Sequence, residues 1–179
     1  MDAKMLRDGI FLLRTRRVGS VAEMLVKRLV KLGKGRHFLH DLYDDVENKR
    51  VEVKFSVVTK KSEIPVTENT VLQAIEAATS EKRMVDFDQW ANVTFDSNIQ
   101  QIKRKQFDVL YYGLFFYDVV LVFRITRAEI GHEIRYSDRQ HFGNKGEGQF
   151  HVNNRTMQYH LDKFLYKKLT YTELLTLLQ

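Results

Sequence analysis

The segment HDLYDDVENKRVEVKFS, residues 40–56, concentrates the side chains best suited to chemistry. Two extended runs, FLHDLYDD and KRVEVKFSVV, flank a polar group around Glu47 and Asn48, which predicts two strands joined by a hairpin turn over 37–58. Strand side chains alternate between faces, so Glu52 and Lys54 share one side of the second strand and an acid of the first can stand beside them. Two carboxylates next to a lysine suit metal-assisted phosphodiester hydrolysis. The acids hold Mg²⁺ through hard oxygen ligands, while the ammonium steadies an attacking water and the charge growing on phosphate. Asp41, Asp44 and Asp45 compete for the place of the first acid. Asp41 is favoured, because a strand residue well before the turn faces the centre of the next strand, whereas Asp44 and Asp45 sit close to the turn. The bland alternative is a solvated, charged hairpin, since a Glu-x-Lys in a strand is short enough to arise often by chance.

The elements that must carry this hairpin follow from periodicity. Leu6, Ile10 and Leu13 predict a helix over 4–15, and Val21, Leu25, Leu29 and Leu32 predict another over 20–32, stopped by Gly33 and Gly35. After a loop around Pro65, Val71, Leu72, Ile75 and Ala78 predict a helix over 70–84. Strands are expected at 99–103, 109–114 and 119–125. The run from Phe107 to Ile125 is nearly long enough for a membrane span, but Asp108, Gly113 and Asp118 interrupt it and its β-branched and aromatic content suits two buried strands. Residues 131–155 hold four of the nine glycines and many amides, which points to a loop with a short hairpin. Helices over 156–168 and 171–178, the latter capped by Thr170, close the chain. The expected architecture is a single α/β domain over 1–179, with a mixed central sheet of about five strands flanked by helices.

Composition narrows the chemistry further. The chain has 179 residues and no cysteine, which removes disulfides, thiolate metal sites and a cysteine nucleophile. Lys and Arg total 29 against 23 Asp and Glu, a balance of +6 that favours a polyanionic partner. No phosphate-binding GxxxxGK[ST], dinucleotide fingerprint or nucleophile elbow is present, so no nucleotide cofactor is expected. His141, Asn153 and His160 lack the acid-and-cysteine framing of an HNH nuclease, and His37 and His40 would face opposite sides of a strand. The N-terminus lacks a secretory cleavage site, which implies a cytoplasmic protein without a membrane anchor.

With His40-Asp41, then Glu52-Val53-Lys54 eleven residues after Asp41, and a helix carrying Glu23 upstream, the chain resembles the PD-(D/E)XK nuclease superfamily and, within it, the small Type II restriction endonucleases. NIQQIKRKQFDVLYYGLFFYD and FGNKGEGQFHVNN resemble later stretches of such enzymes. The likeness covers about 20–125 as a catalytic core and, more loosely, a C-terminal DNA-recognition and helical region at about 131–179. Departures are His40 in place of the family's proline and the extra acids Asp44 and Asp45. The resemblance implies a restriction-endonuclease-like fold and Mg²⁺-dependent hydrolysis of a specific double-stranded DNA sequence. Asp41 and Glu52 would be metal ligands and Lys54 the water-orienting, phosphate-stabilising group. Glu23 would be an outer metal contact, although Ser20-x-x-Glu23 also reads as a capping box. Gln101 would sit near the metal, with an edge-strand polar residue as its alternative.

Sequence reading falls to the glycine- and amide-rich tail, where Gln140, Asn144, Lys145, Gln149, His151, Asn153, Asn154 and Arg155 offer partners for base edges. The basic groups Arg14, Arg16, Arg17 and Lys27, Arg28, Lys31 offer phosphate contacts. A two-fold target calls for a homodimer. A structure-specific nuclease resembling a Holliday junction resolvase and a non-catalytic DNA-binding module are the alternatives.

Overall fold

The computed structural model describes the chain apart from residues 36, 38–39, 62–63, 79 and 141–144, and the side chains of 80, 81 and 145. The apolar run at 107–125 forms its centre. There β5 (Val109–Phe115) and β6 (Val119–Thr126) pair antiparallel, and every residue of β5 is buried. Apolar and polar residues do not alternate here because both faces of the sheet are covered. Leu110, Tyr112 and Leu114 enter one core cluster with Leu121, Phe123 and Ile125, while Val109, Tyr111 and Phe115 enter the other with Val120 and Val122. Next to β5 runs β3 (Lys49–Val57), in parallel, with Glu52 opposite Leu110 and Lys54 opposite Tyr112. Beyond it lie β2 (Leu42–Asp44) and the short β1 (Gly33–Lys34), and β9 (Leu165–Thr170) pairs with β6 on the far side. Together they make a six-stranded mixed sheet in the order β1-β2-β3-β5-β6-β9.

One face of this sheet carries α1 (Ala3–Leu12), α2 (Thr15–Val30) and α6 (Tyr171–Leu178). Val18, Ala22, Leu25 and Val26 form the buried stripe of α2, at the spacing a helix needs to present one face. The opposite face carries α5 (Met157–Phe164) and a second sheet of β4 (Asp96–Ile102), β8 (Lys145–Asn153) and β7 (Ser137–Arg139), in the order β4-β8-β7. Ile99, Phe150 and Val152 of that sheet are buried against the central one. In α3 (Val71–Ala77), which is followed by α4 (Ser80–Arg83), no residue is buried.

The α/β class, the mixed sheet and the paired strands at 109–125 are as expected; several boundaries differ for identifiable reasons. The strand expected at 99–103 starts at Asp96 and leaves the central sheet to pair with β8, which runs nine residues. The helix expected over 156–168 ends at Phe164, and the alternating LYKKLT becomes β9, which covers the β6 edge. Its burial is confined to Leu169. The second helix starts at Thr15, not at 20, so Ser20 lies inside it and its hydroxyl donates back to the Arg16 carbonyl (3.4 Å). The capping box at Ser20 is therefore absent, whereas the one at Thr170 and Glu173 is present. The helix expected over 70–84 is split into α3 and α4. Among the described residues, no helix is long and apolar enough to cross a membrane.

His160 sits in the core at 1% exposure, stacked on Phe150, with Nδ1 2.7 Å from the Tyr112 hydroxyl and Nε2 without a hydrogen-bond partner among the described residues. It is a core residue, packed among aromatic rings. Burial pushes its pKa down to about 4, from an ordinary 6.5. The unfolded chain then takes up a proton near pH 6.5 that the folded chain refuses until about pH 4. Stability should fall by roughly 3 kcal/mol as pH drops through that window and level off below it. Urea unfolding of the wild type and of His160→Phe at pH 7, 5.5 and 4 checks this; the variant should lose that part of the pH slope.

Candidate active site

The hairpin separates the three competing aspartates. Asp44 Oδ1 accepts from the backbone N–H of Val46 and of Glu47, both at 2.9 Å, so Asp44 builds the turn. Asp45 lies toward β1, where a Cβ added at Gly33 would come within 2.7 Å of its Oδ2. Asp41 comes just before β2, where the ladder between β2 and β3 ends at Leu42 opposite Val51. Its Oδ2 accepts from the Val53 N–H at 2.8 Å, which carries the carboxylate past the end of the ladder onto the centre of β3.

Lys54 Nζ lies 2.5 Å from Glu52 Oε1 and 4.0 Å from Asp41 Oδ2. Glu52 is 8% exposed, and its burial, reinforced by Asp41 and Glu23 and only partly offset by Lys54, pushes its pKa up to about 6. Burial works against the charged form of Lys54, but the Glu52 and Asp41 carboxylates outweigh it and hold its pKa above the ordinary value. Glu23 projects from α2 into the same field, and burial followed by repulsion from Asp41 raises its pKa too. Three carboxylates thus share one ammonium. With the capping role gone, this electrostatic coupling is what Glu23 contributes at its position.

Of these four, Glu23 and Lys54 line a cleft of about 540 Å³, together with Arg16 of α2, Ser56 of β3, and Asn98, Gln100 and Gln101 of β4; Asp41 and Glu52 reach it through their contacts with Lys54. Gln101 reaches the wall through a bulge: the β4–β8 register shifts between Gln100 and Ile102, and Gln101 takes φ 60°. The bulge breaks the alternation expected between Gln101 and Lys103, and Lys103 pairs instead with Glu147 at 3.0 Å.

The tail residues divide into two groups. Gln149 accepts from Asn98 Nδ2 (2.9 Å), Gln140 donates to Gln100 Oε1 (2.8 Å) and His151 Nδ1 meets Asp96 Oδ1 (2.9 Å), so these three stand on the polar face of the second sheet. Asn153, the last residue of β8, accepts at Oδ1 from the Arg155 N–H (3.0 Å), and Asn154 and Arg155 lie in the turn before α5. Lys145 begins β8, and Asn144 lies outside the described residues. Asp96, Asn98 and Gln100 were missed in the sequence. Their signal was a polar residue at every second position of β4 with buried Ser97 and Ile99 between. Of the basic groups, Arg16 lines the cleft, whereas Arg28 donates to the Leu177 carbonyl and ties α2 to α6.

Among the described residues, no group of three or more His, Asp or Glu side chains is drawn together as a ready-made metal cage. The donors nevertheless fit a divalent cation of the Mg²⁺ type, which takes one or two carboxylates and completes its shell with water or phosphate oxygens. Asp41 and Glu52 are such a pair, and the excess of negative over positive charge around them is the field such a cation would neutralise. No protein-family model, curated protein or solved structure matches the chain.

Proposed function

We propose that this protein is a metal-dependent endonuclease that cuts specific duplex DNA, acting through Asp41, Glu52 and Lys54. One observation carries the proposal: two carboxylates, Asp41 just before β2 and Glu52 on β3, flank Lys54, and Lys54 lines a cleft that the amides Asn98, Gln100 and Gln101 of β4 also line. Asp41 and Glu52 would hold the metal, which supplies Lewis acidity and lowers the pKa of a bound water. Lys54 remains an ammonium, so it acts as a hydrogen-bond donor that orients water and stabilises charge growing on phosphate, and not as a proton acceptor. Glu23 positions charge around this group from α2. Gln149, Gln140 and His151 face the bases from the second sheet. Cutting both strands of a two-fold site requires two such clefts, hence a homodimer.

Phosphate contacts complete the proposal. Arg16 lies in the cleft, and Lys103, Arg104, Lys105 and Arg127 line a second groove of about 830 Å³ beside β7 and β8. Replacing Arg16 or Lys105 with alanine is expected to weaken binding to every DNA sequence alike and to reduce the salt slope by about 1 per lost contact. Affinities for two unrelated duplexes at two salt concentrations check this.

The testing experiment incubates purified protein with plasmid, phage and branched DNA, in Mg²⁺ and in EDTA. Discrete fragments in Mg²⁺ alone support the proposal. Cutting of branched DNA only replaces it with a structure-specific nuclease, and binding without cutting replaces it with a DNA-binding module.

A further inference from the structure

We propose that His151 reads one base by accepting a hydrogen bond at Nε2 from the exocyclic amino group of adenine or cytosine, and that Asp96 is the positioning residue that fixes this polarity. The inference rests on the reading above in taking duplex DNA as the partner.

Placement comes first. Across β4 and β8, Asp96 stands opposite Asn153, Asn98 opposite His151 and Gln100 opposite Gln149. Ser97, Ile99, Phe150 and Val152, at the alternate positions, are buried against the core, so the polar set occupies the outward face. Asn98 and Gln100 also line the carboxylate cleft, which makes this face continuous with it. The His151 side chain is 42% exposed there.

Polarity comes from Asp96. Its Oδ1 lies 2.9 Å from His151 Nδ1 and its Oδ2 2.9 Å from Lys61 Nζ. Partial burial works to raise its pKa, but the hydrogen bonds from Lys61 and His151 outweigh that and hold it below the ordinary carboxylate value. An ionised carboxylate only accepts, so the proton of the neutral ring resides on Nδ1 and Nε2 presents a lone pair. Among the described residues, Nε2 makes no hydrogen bond. The neighbouring amides have no such restriction, since an Asn or Gln side chain can turn over and exchange donor for acceptor. In its neutral form His151 is thus the reader on this face whose donor and acceptor nitrogens are fixed by a carboxylate partner. In the major groove, adenine N6 and cytosine N4 are donors, whereas guanine O6 and thymine O4 are acceptors that would oppose the lone pair.

The test uses the full chain and a library of randomised duplexes. Protein is equilibrated with the library in EDTA, and the bound pool is sequenced for the wild type, His151→Ala, Asp96→Asn and Lys61→Met. The wild type should favour adenine or cytosine over guanine or thymine at one position of the read strand by roughly 5- to 150-fold. His151→Ala and Asp96→Asn should lose that preference and keep the others, while Lys61→Met, which leaves the Asp96–His151 contact in place, should retain it. Replacing that amino group by hydrogen in the selected duplex should cost the wild type the same factor and His151→Ala nothing. This last comparison keeps the test decisive with unaltered protein if His151→Ala fails to fold. A wild type without base preference, a preference surviving in His151→Ala, or an equal loss at every position overturns the assignment. Adding Mg²⁺ to the selected pool tests the nuclease reading separately: a pool selected through His151 yet left uncut upholds the base contact and overturns the nuclease.

Discussion

Asp41→Ala is expected to lower the Mg²⁺-dependent cleavage rate roughly 10²–10³-fold, or beyond detection, with DNA affinity in EDTA essentially unchanged. The reason is where the carboxylate acts. Charge that develops only in the transition state is stabilised by groups that contribute little to docking, so the loss appears in the chemical step. Glu52→Ala should behave alike. Asp44→Ala is the informative contrast, because Asp44 accepts two backbone N–H groups in the turn and takes no part around Lys54. That variant should cut at nearly the wild-type rate while losing about 1 kcal/mol of stability for the turn bonds it gives up. Single-turnover cleavage together with thermal melting of the three variants separates these effects. An inactive Asp44→Ala beside an active Asp41→Ala would transfer the role of first acid to Asp44.

Lys54→Met should be as damaging as loss of an acid, again roughly 10²–10³-fold in rate, and added Mg²⁺ should not restore it. Lys54 is 2.5 Å from Glu52 and is the cation shared by Asp41, Glu52 and Glu23. Removing it deepens the local negative field, so affinity for a divalent cation should rise even as cleavage fails. Measuring Mg²⁺ binding and cleavage on the same variant distinguishes a direct role in the reaction from simple neutralisation. Full rescue at high Mg²⁺ would show that Lys54 only balances the charge of the acids.

The features legible in the sequence were those set by local pattern. The run at 107–125 carried its own answer, since Asp108, Gly113 and Asp118 punctuate an apolar stretch that two covered strands can bury. Glu52 and Lys54 were readable for the same reason, since a period of two puts them on one side of β3, whereas Asp41, expected on the first strand, lies just before β2 and joins them through the Val53 N–H. Long-range choices were not readable. Nothing in NIQQI indicates that its strand pairs with β8 and not in the central sheet, because the partner lies about fifty residues away and both options bury Ile99. LYKKLT suits a helix or an edge strand equally, and only the uncovered side of β6 decides for β9. Ser20-x-x-Glu23 has the pattern of a cap, but the helix begins earlier, at Thr15, and the Glu23 side chain lines the cleft.

The most direct test of the nuclease assignment is a paired cleavage assay on supercoiled plasmid and phage DNA with the wild type and Glu52→Gln, in which one carboxylate oxygen becomes an amide and the side chain's size is kept. Discrete fragments from the wild type in Mg²⁺, none in EDTA and none from Glu52→Gln at equal DNA affinity are the expected results. Cleavage by Glu52→Gln at the wild-type rate, or fragments that persist in EDTA, would contradict the assignment of cutting to these carboxylates.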